Sequence, residues 1–438
     1  MSIELITILI FGSVVVGLAL GLPLAFALGG VAVVFTFFLW GPEALYMVAS
    51  RTFGVMSAFI LVAIPLFIFM ANVLERSGSA EDLYSMMYHW MGPLRGGLAM
   101  GTVVICTLFA AMAGISGAAT VTMGLIALPS MLKRHYDKNI AVGCIAAGGA
   151  LGILIPPSVI MIIYALMAGV SVGKMFLGGI FPGLILATLF IVYIGIRCAF
   201  QRQLGPVVPP EERVGWREKL ISIRAVIIPV LLVIGVLGSI FTGIASPSEA
   251  AAIGATGSLL SAAIYRRLNW KMLKEAWYRT LKLNVMIMWI VVGASLFTAA
   301  YTAIGAPELI KTILMEMPGG RWGILIGIQA TFFILGMFLD PTGIVLITTP
   351  IFVPIIKTLG FDPIWFGILF VINMEMAYLT PPFGFNLFYM KGVVPKGITM
   401  GDIYRSIVPF VVLQLVGLII CMIFPQIALV LPNLIFGR

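Results

Sequence analysis

Long apolar segments alternate with short polar loops along the chain, and their lengths predict its architecture. Ten segments of about 20 residues or more are long enough to cross a bilayer as helices. They lack the strict alternation of polar and apolar residues that is typical of a membrane β-barrel. The predicted spans cover residues 3–20, 22–40, 59–75, 139–169, 175–199, 225–244, 247–265, 285–305, 363–391 and 405–431. The pattern therefore predicts an all-α polytopic membrane protein.

Two further apolar stretches, 96–132 and 322–356, carry helix-breaking or polar residues at their centres. The first has Gly114-Ile-Ser-Gly117 at its middle, and the second has Asp340-Pro-Thr-Gly343. Each is too long for one span and too short for two spans with a loop. Non-helical backbone is tolerated at membrane depth only where protein or a cavity surrounds it. We therefore expect two re-entrant hairpins whose tips reach the middle of the membrane.

Paired prolines interrupt two of the predicted spans, at Pro156-Pro157 and at Pro381-Pro382. Each pair removes two backbone N–H donors, and the rings clash with the preceding turn. Carbonyl groups just before the prolines lose their helical partners, as in the broken helices that form the binding sites of secondary transporters. A kinked structural helix is the alternative interpretation of either motif alone.

The two proline pairs belong to two related halves of the chain. Pro129 lies 27 residues before the first pair, and Pro354 lies 27 residues before the second. We predict a first repeat at 1–200, with hairpin 96–132 and broken helix 139–169. A polar cytoplasmic connector at 201–224 then leads to a second repeat at 225–438, with hairpin 322–356 and broken helix 363–391.

Composition and charge give the class and the orientation. The chain is 61% hydrophobic and 10% charged, whereas soluble domains are near half apolar and a quarter charged. If the hairpins do not cross, 20 of the 26 Lys and Arg residues lie in loops on one side and 6 on the other. This asymmetry assigns the first side to the cytoplasm and both termini to the periplasm. Each half then has five crossings, an odd number, so the two repeats are inverted relative to each other. The net charge of +9 reflects the basic residues of these loops and does not indicate a nucleic acid partner.

Each hairpin tip is expected to face a broken helix, which gives one candidate sodium site in each half. Unpaired peptide oxygens with hydroxyl and amide oxygens suit a small hard cation, and helix N-termini at the tips suit an anionic substrate. The predicted sodium ligands are Ser116, Thr120, Gly152, Ile155 and Pro157 in the first site, and Asp340, Thr342, Ala377, Thr380 and Phe383 in the second. The predicted substrate residues are Ser116, Gly117, Ser158, Pro341 and Asn386, with Asn386 assigned to the second site. Each hydroxyl could instead bond back to the preceding helical turn.

Three other features carry expectations. Glu375 is either a proton site or an anchor for the broken helix, whereas Glu249 is expected to stabilise a helix N-terminus. The segment Trp270–Asn284 is amphipathic and is predicted to lie flat at the cytoplasmic membrane surface, with a weaker counterpart at Glu43–Ala58. The four dispersed cysteines are expected to be packing residues.

Five motifs resemble the large membrane subunit of tripartite ATP-independent periplasmic (TRAP) transporters of the C4-dicarboxylate permease type, and the resemblance extends over the whole chain. They are AGISGAAT (113–120), GILIPPS (152–158), ASPSEAAAIG (245–254), FLDPTGIVLITTPIFVPI (338–355) and TPPFGFNLF (380–388). One departure is that Ala118 and Ala119 follow the first tip where many members have a second hydroxyl residue. This departure shifts the expected coordination of sodium at the first site towards carbonyl groups.

The resemblance implies an elevator transporter in the bacterial inner membrane that imports organic acids with sodium as the coupling ion and needs no cofactor. It also implies two protein partners, a small four-helix membrane subunit and a soluble periplasmic binding protein, as well as contact with membrane lipid. Two alternatives stay open: a single-component sodium and divalent-anion symporter, and a proton-conducting or structural subunit of a larger membrane complex. None of these is an enzyme.

Overall fold

The computed structural model describes residues 2–114 and 116–437, and every regular element in these two ranges is helical. The helices of the first half are α1 (Ile3–Ala19), α2 (Leu24–Trp40), α3 (Tyr46–Met56), α4 (Ala63–Arg76), α5 (Ser79–Met91), α6 (Gly97–Ala113), α7 (Ser116–Lys133), α8 (Lys138–Ala150), α9 (Val159–Ala168) and α10 (Val172–Phe200). Short 3₁₀ turns precede α3 and α4 and follow α8. The prediction of an all-α fold is confirmed.

The second half begins after a connector that contains two short 3₁₀ turns. Its helices are α11 (Trp216–Ser222), α12 (Arg224–Phe241), α13 (Pro247–Ile264), α14 (Trp270–Ile304), α15 (Ala306–Met315), α16 (Gly320–Gly336), α17 (Pro341–Thr358), α18 (Pro363–Tyr378), α19 (Phe385–Val393), α20 (Met400–Ile423) and α21 (Gln426–Phe436). Six helical segments of the described chain are long and apolar enough to cross a membrane, and several shorter helices are also apolar.

Both predicted helix breaks are present. The first separates α8 from α9 and contains a 3₁₀ turn at Leu151–Ile153, and the second separates α18 from α19. The Pro156–Pro157 and Pro381–Pro382 peptide bonds are both cis. Both predicted hairpins are also interrupted at their tips, between α6 and α7 and between α16 and α17. The tip residue Ile115 lies outside the described residues.

The two halves pack across each other at these interruptions. The second helix of each hairpin lies along the second helix of the other half's broken helix: α7 contacts α19, and α17 contacts α9. The first hairpin also packs on α8, and the second packs on α18. Each hairpin is consequently packed against both broken helices.

The predicted single span at 405–431 is wrong, because the chain bends between α20 and α21. Phe424 ends α20 with φ −116° and ψ 77°, outside the helical region. It precedes Pro425, and a proline ring disfavours the helical conformation of the residue before it.

The predicted arm at Trp270–Asn284 is not a separate element, because α14 runs without a break for 35 residues. One face of its first half packs on α4, where Asn72 donates a hydrogen bond of 3.1 Å to the Thr280 hydroxyl. On the predicted apolar face, Trp270 and Trp277 are exposed. An amphipathic segment is therefore present, and its orientation at a membrane surface stays a prediction.

Capping residues explain where several helices begin. Asp137 caps α8 and Asp362 caps α18 through their carboxylates. At the start of α13, the Ser246 hydroxyl accepts from the Glu249 amide, and the Glu249 carboxylate accepts from the Ser246 amide at 2.7 Å. This reciprocal arrangement satisfies two amides that the helix leaves without partners. The expected role of Glu249 at a helix N-terminus is confirmed.

Candidate functional site

The first hairpin tip lies directly against the first helix break. Gly114 adopts φ +63°, and a Cβ added there would lie 2.4 Å from the Pro157 carbonyl oxygen. Only glycine permits this conformation and this approach at low cost. Ser116, the first residue of α7, is buried beside the tip. The structure thus brings the predicted ligands Ser116 and Pro157 into one region.

Within the first break, the two prolines leave the carbonyls of Gly152 and Ile153 without the donors they would have in a continuous helix. The Ser158 hydroxyl donates to the Ile153 carbonyl at 2.5 Å and accepts from the Met161 amide at 3.4 Å. Ser158 therefore repairs one lost bond and caps α9. The Gly152 carbonyl remains the better candidate ligand.

Asn386 was predicted at the second junction, but its side chain lies at the first. Its amide nitrogen donates to the Ala146 carbonyl at 2.6 Å, and its amide oxygen accepts from the Thr120 hydroxyl at 2.8 Å. Asn386 and Thr120 are completely buried. The reason is the cross-packing of the halves, which carries α19 onto α7 and α8. One side chain therefore connects the first hairpin, the first broken helix and the second broken helix.

Tyr389 was not among the predicted site residues, and it lies over the first turn of α7. A Cβ on Gly117 would lie 2.7 Å from its ring, so the ring packs directly on the glycine. The residue is 45% exposed. Tyr389 therefore covers the start of α7 at the first hairpin tip. Its position eight residues after Pro381 matches that of Tyr164 after Pro156, and this repeat was a usable signal.

In the second site, Asp340 caps α17. One carboxylate oxygen accepts from the Thr342 amide at 2.8 Å, and the other accepts from the Tyr378 hydroxyl at 3.0 Å. The tip contacts the break through the Phe383 amide, which donates to the Met337 carbonyl at 3.3 Å. The predicted residues Asp340, Thr342 and Phe383 thus lie around one junction, and Pro341, the first residue of α17, is buried beside them.

Thr380 and Ala377 are engaged within the last turn of α18. The Thr380 hydroxyl donates to the Met376 carbonyl at 2.8 Å, and the Thr380 amide donates to the Ala377 carbonyl at 3.0 Å. A threonine hydroxyl that bonds to the preceding helical turn in this way has a structural role, which is the alternative to binding a cation. A carbonyl oxygen has a second lone pair, so Ala377 can still contribute to a cation site.

The two breaks differ in their exposure. Residues 151–158 are all buried, whereas residues 381–383 are exposed.

No lysine or arginine occurs in the tip and break segments 113–120, 150–159, 336–343 and 376–390. These four segments would therefore offer an anion amide and hydroxyl donors and helix N-termini, and no lysine or arginine of their own.

Glu375 is completely buried in α18, and neither of its carboxylate oxygens has a hydrogen-bond partner among the described residues. The same holds for the side-chain amide of Gln414 in α20. No contact that would make Glu375 an anchor of the broken helix is therefore found in the described part of the chain.

The fold and the central site define a secondary-transporter architecture with paired hairpins and broken helices. Neisseria gonorrhoeae MtrF, reported among antimetabolite efflux pumps, has a similar structure, with a TM-score of 0.61 at 14% identity over 90% of this chain and 85% of that one. The Alcanivorax borkumensis YdaH transporter has a TM-score of 0.57 at 14% identity over 94% of this chain and 97% of that one. These similarities concern the fold alone.

The family model for the DctM component of tripartite ATP-independent periplasmic transporters matches residues 11–427, and the chain belongs to this family. A C4-dicarboxylate TRAP transporter large permease protein of Pseudomonas aeruginosa is 35% identical over 92% of this chain and 93% of its own length. An ectoine TRAP large permease of Halomonas elongata is 31% identical over 96% and 97%. An isethionate TRAP permease of Oleidesulfovibrio alaskensis, named DctMQ, is 30% identical over 95% of this chain but only 65% of its own length. The chain is therefore a multi-pass membrane transport protein and not an enzyme.

Proposed function

We propose that this large permease imports an organic acid across the bacterial inner membrane, driven by an inward sodium gradient, with both termini in the periplasm. The observation that carries the proposal is the packing of each hairpin against both broken helices, whose tip and break segments contain no lysine or arginine. Such an arrangement offers oxygen ligands to cations and helix N-termini to an anion.

Sodium fits the oxygen ligands that the two junctions present. The first junction offers the Gly152 carbonyl, the buried Ser116 hydroxyl and the Pro157 carbonyl. The second offers the carboxylate of Asp340 with the Ala377 carbonyl. These are hard ligands that suit an alkali cation and would bind a soft transition metal poorly.

The substrate carboxylate is assigned to the N-termini of α7 and α19. The N-terminus of α17 already holds the Asp340 carboxylate, and that of α9 holds the Ser158 hydroxyl. By contrast, α19 follows Gly384, which has no side chain to cap it. Since α7 and α19 pack against each other, their N-terminal dipoles can act on one anion. The relatives named for C4-dicarboxylates and ectoine support an organic acid and leave its identity open.

Two protein partners complete the proposed transporter. The DctMQ relative is longer than this chain, which covers 65% of it, so that relative has room for a second membrane component. We assign the corresponding role here to a separate small four-helix subunit, with a soluble periplasmic protein delivering the substrate. In an elevator mechanism, the hairpins and broken helices would move as one body against the remaining helices.

Uptake into proteoliposomes tests this function. The permease is reconstituted with its small subunit, the binding protein and radiolabelled C4-dicarboxylate, and uptake should require an inward sodium gradient. Equal uptake after replacement of sodium by choline would reject sodium coupling. Omitting the binding protein separates the alternatives, because a single-component symporter would keep its full activity without it.

A further inference from the structure

A polar cavity lies between α8, α10 and α20, and no residue of the hairpin tips lines it. Its volume is about 110 Å³, which is room for a group several times the size of a water molecule. The lining combines two arginines and an amide with apolar side chains, and the residues concerned are Asn139, Ile140, Tyr193, Arg197, Arg405, Ser406, Pro409 and Phe410.

Both arginines of this cavity lack an acidic partner within ion-pair distance among the described residues. Arg197 is held in place by Tyr193, because it donates to the tyrosine hydroxyl at 2.6 Å and lies 5.8 Å from the centroid of the ring. The carboxylate near Arg405 in sequence, Asp402, is bound by Lys138 at 2.6 Å and by Thr399. Two guanidinium groups with unused donors therefore line one cavity.

Apolar side chains form one part of the cavity lining. Gly143 lets α8 approach α20, since a Cβ there would lie 2.4 Å from the Ser406 carbonyl oxygen. Beside this contact, the buried ring of Phe410 packs edge-on against Tyr193 with centroids 5.4 Å apart. The cavity lining thus combines cationic and apolar side chains.

The cavity lies at one end of its three helices, on the side that the charge distribution assigns to the cytoplasm. Arg197 is in the last turn of α10, and Arg405 is near the start of α20. Basic pockets between transmembrane helices on this side bind anionic lipid headgroups. Arginine also matches the geometry of phosphate oxygens better than lysine does.

We propose that this cavity binds a phosphate group, supplied either by an anionic phospholipid headgroup or by free phosphate. Arg197 and Arg405 donate to its oxygens, and Asn139 supplies a further polar contact. The occupant would lie against α8, the first part of the first broken helix. The site is separate from the proposed substrate region and does not depend on the identity of the transported acid.

Native mass spectrometry and thermal unfolding test the proposal. The test variant is Arg197→Gln with Arg405→Gln, and the matched control is Arg217→Gln with Lys271→Gln, which removes the same charge from exposed positions outside the cavity. Each protein is placed in nanodiscs of phosphatidylcholine with or without phosphatidylglycerol. The test variant should retain phosphatidylglycerol about thirtyfold less than wild type, since each of the two arginines removed contributes about 1 kcal/mol and about 1.4 kcal/mol is a tenfold change.

The two sources of phosphate give different results. If wild type and the control variant retain phosphatidylglycerol and the test variant does not, the result supports a lipid headgroup as the occupant. A rise in melting temperature on adding inorganic phosphate in pure phosphatidylcholine, again lost only in the test variant, supports free phosphate. Equal lipid retention and equal phosphate response in the test and control variants would overturn the proposal, whether or not the protein transports an organic acid.

Discussion

At the scale of single residues, glycine decides how closely α7 and α19 approach. Gly117 and Gly124 lie two turns apart on α7, and the side chains of Tyr389 and Val393 pack on them. A Cβ at either glycine would lie within 2.7 Å of these side chains. The ring of Tyr389 is consequently held over the helix N-terminus to which we assign the substrate carboxylate.

Gly117→Ala should lower uptake, because the added methyl group meets the Tyr389 ring at 2.7 Å and overpacking costs about 1–3 kcal/mol. The double variant Gly117→Ala with Tyr389→Ala should recover folded protein and part of the uptake. Gly392→Ala is the control, since a Cβ there has no neighbour within 4 Å. Uptake by Gly117→Ala equal to that of the control would show that the ring does not constrain the tip.

Asn386→Ala should destabilise the protein by about 1–3 kcal/mol, because it removes two buried hydrogen bonds. These bonds join Asn386 to the Thr120 hydroxyl and to the Ala146 carbonyl. The melting temperature of the purified protein is the measurement. Asn433→Ala is a less buried control, and its side chain has no hydrogen bond to any residue that the structure describes. A melting temperature unchanged from wild type would mean that this link between the halves contributes nothing to stability.

Asp340→Asn should raise the sodium concentration for half-maximal uptake about fivefold or more. The asparagine oxygen can still cap α17, so the change removes charge while it preserves the N-terminus. A unit charge about 4 Å from a cation contributes about 1 kcal/mol even in bulk water. Thr380→Val is the comparison, since the Thr380 hydroxyl already bonds to Met376. An unchanged sodium requirement in Asp340→Asn would exclude this carboxylate from the cation site.

At the scale of helices and loops, the connector is attached to the ends of the first hairpin. Main-chain bonds of 2.9 Å join Gly96 to Gly205 and Val208 to Gly92. Side chains add to this, because Tyr88 and Arg134 both donate to the Glu212 carboxylate. The segment between the halves is therefore an ordered part of the surface.

Protonation of Glu212 should loosen the connector. Hydrogen bonds from Tyr88 and Arg134 hold the pKa of Glu212 below its ordinary value of 4.5. Its contribution to stability is thus complete above pH 4.5 and is lost as the pH falls through the lower folded-state value. Hydrogen exchange at 201–215 should be faster in Glu212→Gln than in wild type at pH 7. The difference should shrink below pH 4.5, and a constant difference down to pH 3 would contradict this role.

The sequence predicted those interruptions that have a local chemical cause. Two adjacent prolines remove donors wherever the chain is placed, so both breaks were predictable. The end of α20 has the same cause in weaker form, because a single proline, Pro425, follows it. The continuity of α14 across Asn284 could also have been predicted from the sequence, since no glycine or proline lies between 270 and 292. A change from an amphipathic to an apolar pattern there reflects a change of surroundings and not an end of the helix.

The partners of Asn386 were not predictable from the pattern. Thr120 is 266 residues away in sequence, and pairing each tip with the break of its own half was the simplest assumption. The packing of α7 on α19 and of α17 on α9 depends on the arrangement of both halves. No local feature of TPPFGFNLFY specifies which hairpin it meets.

At the scale of the whole molecule, the cross-packed halves place two candidate cation sites beside one anion site. Two sodium ions moving with a dicarboxylate carry no net charge, whereas two moving with a monocarboxylate carry one positive charge inward. Each charge moved through 100 mV corresponds to about 2.3 kcal/mol. The number of sites therefore predicts how uptake responds to the membrane potential.

With two sodium ions per cycle, uptake of a C4-dicarboxylate should not change when a potential of about 100 mV, negative inside, is imposed with valinomycin and a potassium gradient. Since such a potential acts only on net charge, its driving force for this substrate would be zero. A monocarboxylate carried by the same protein is the internal control, because its uptake should increase under the same potential. If uptake of the dicarboxylate increases as well, the cycle moves a third cation, and a site outside the two junctions must be sought to hold it.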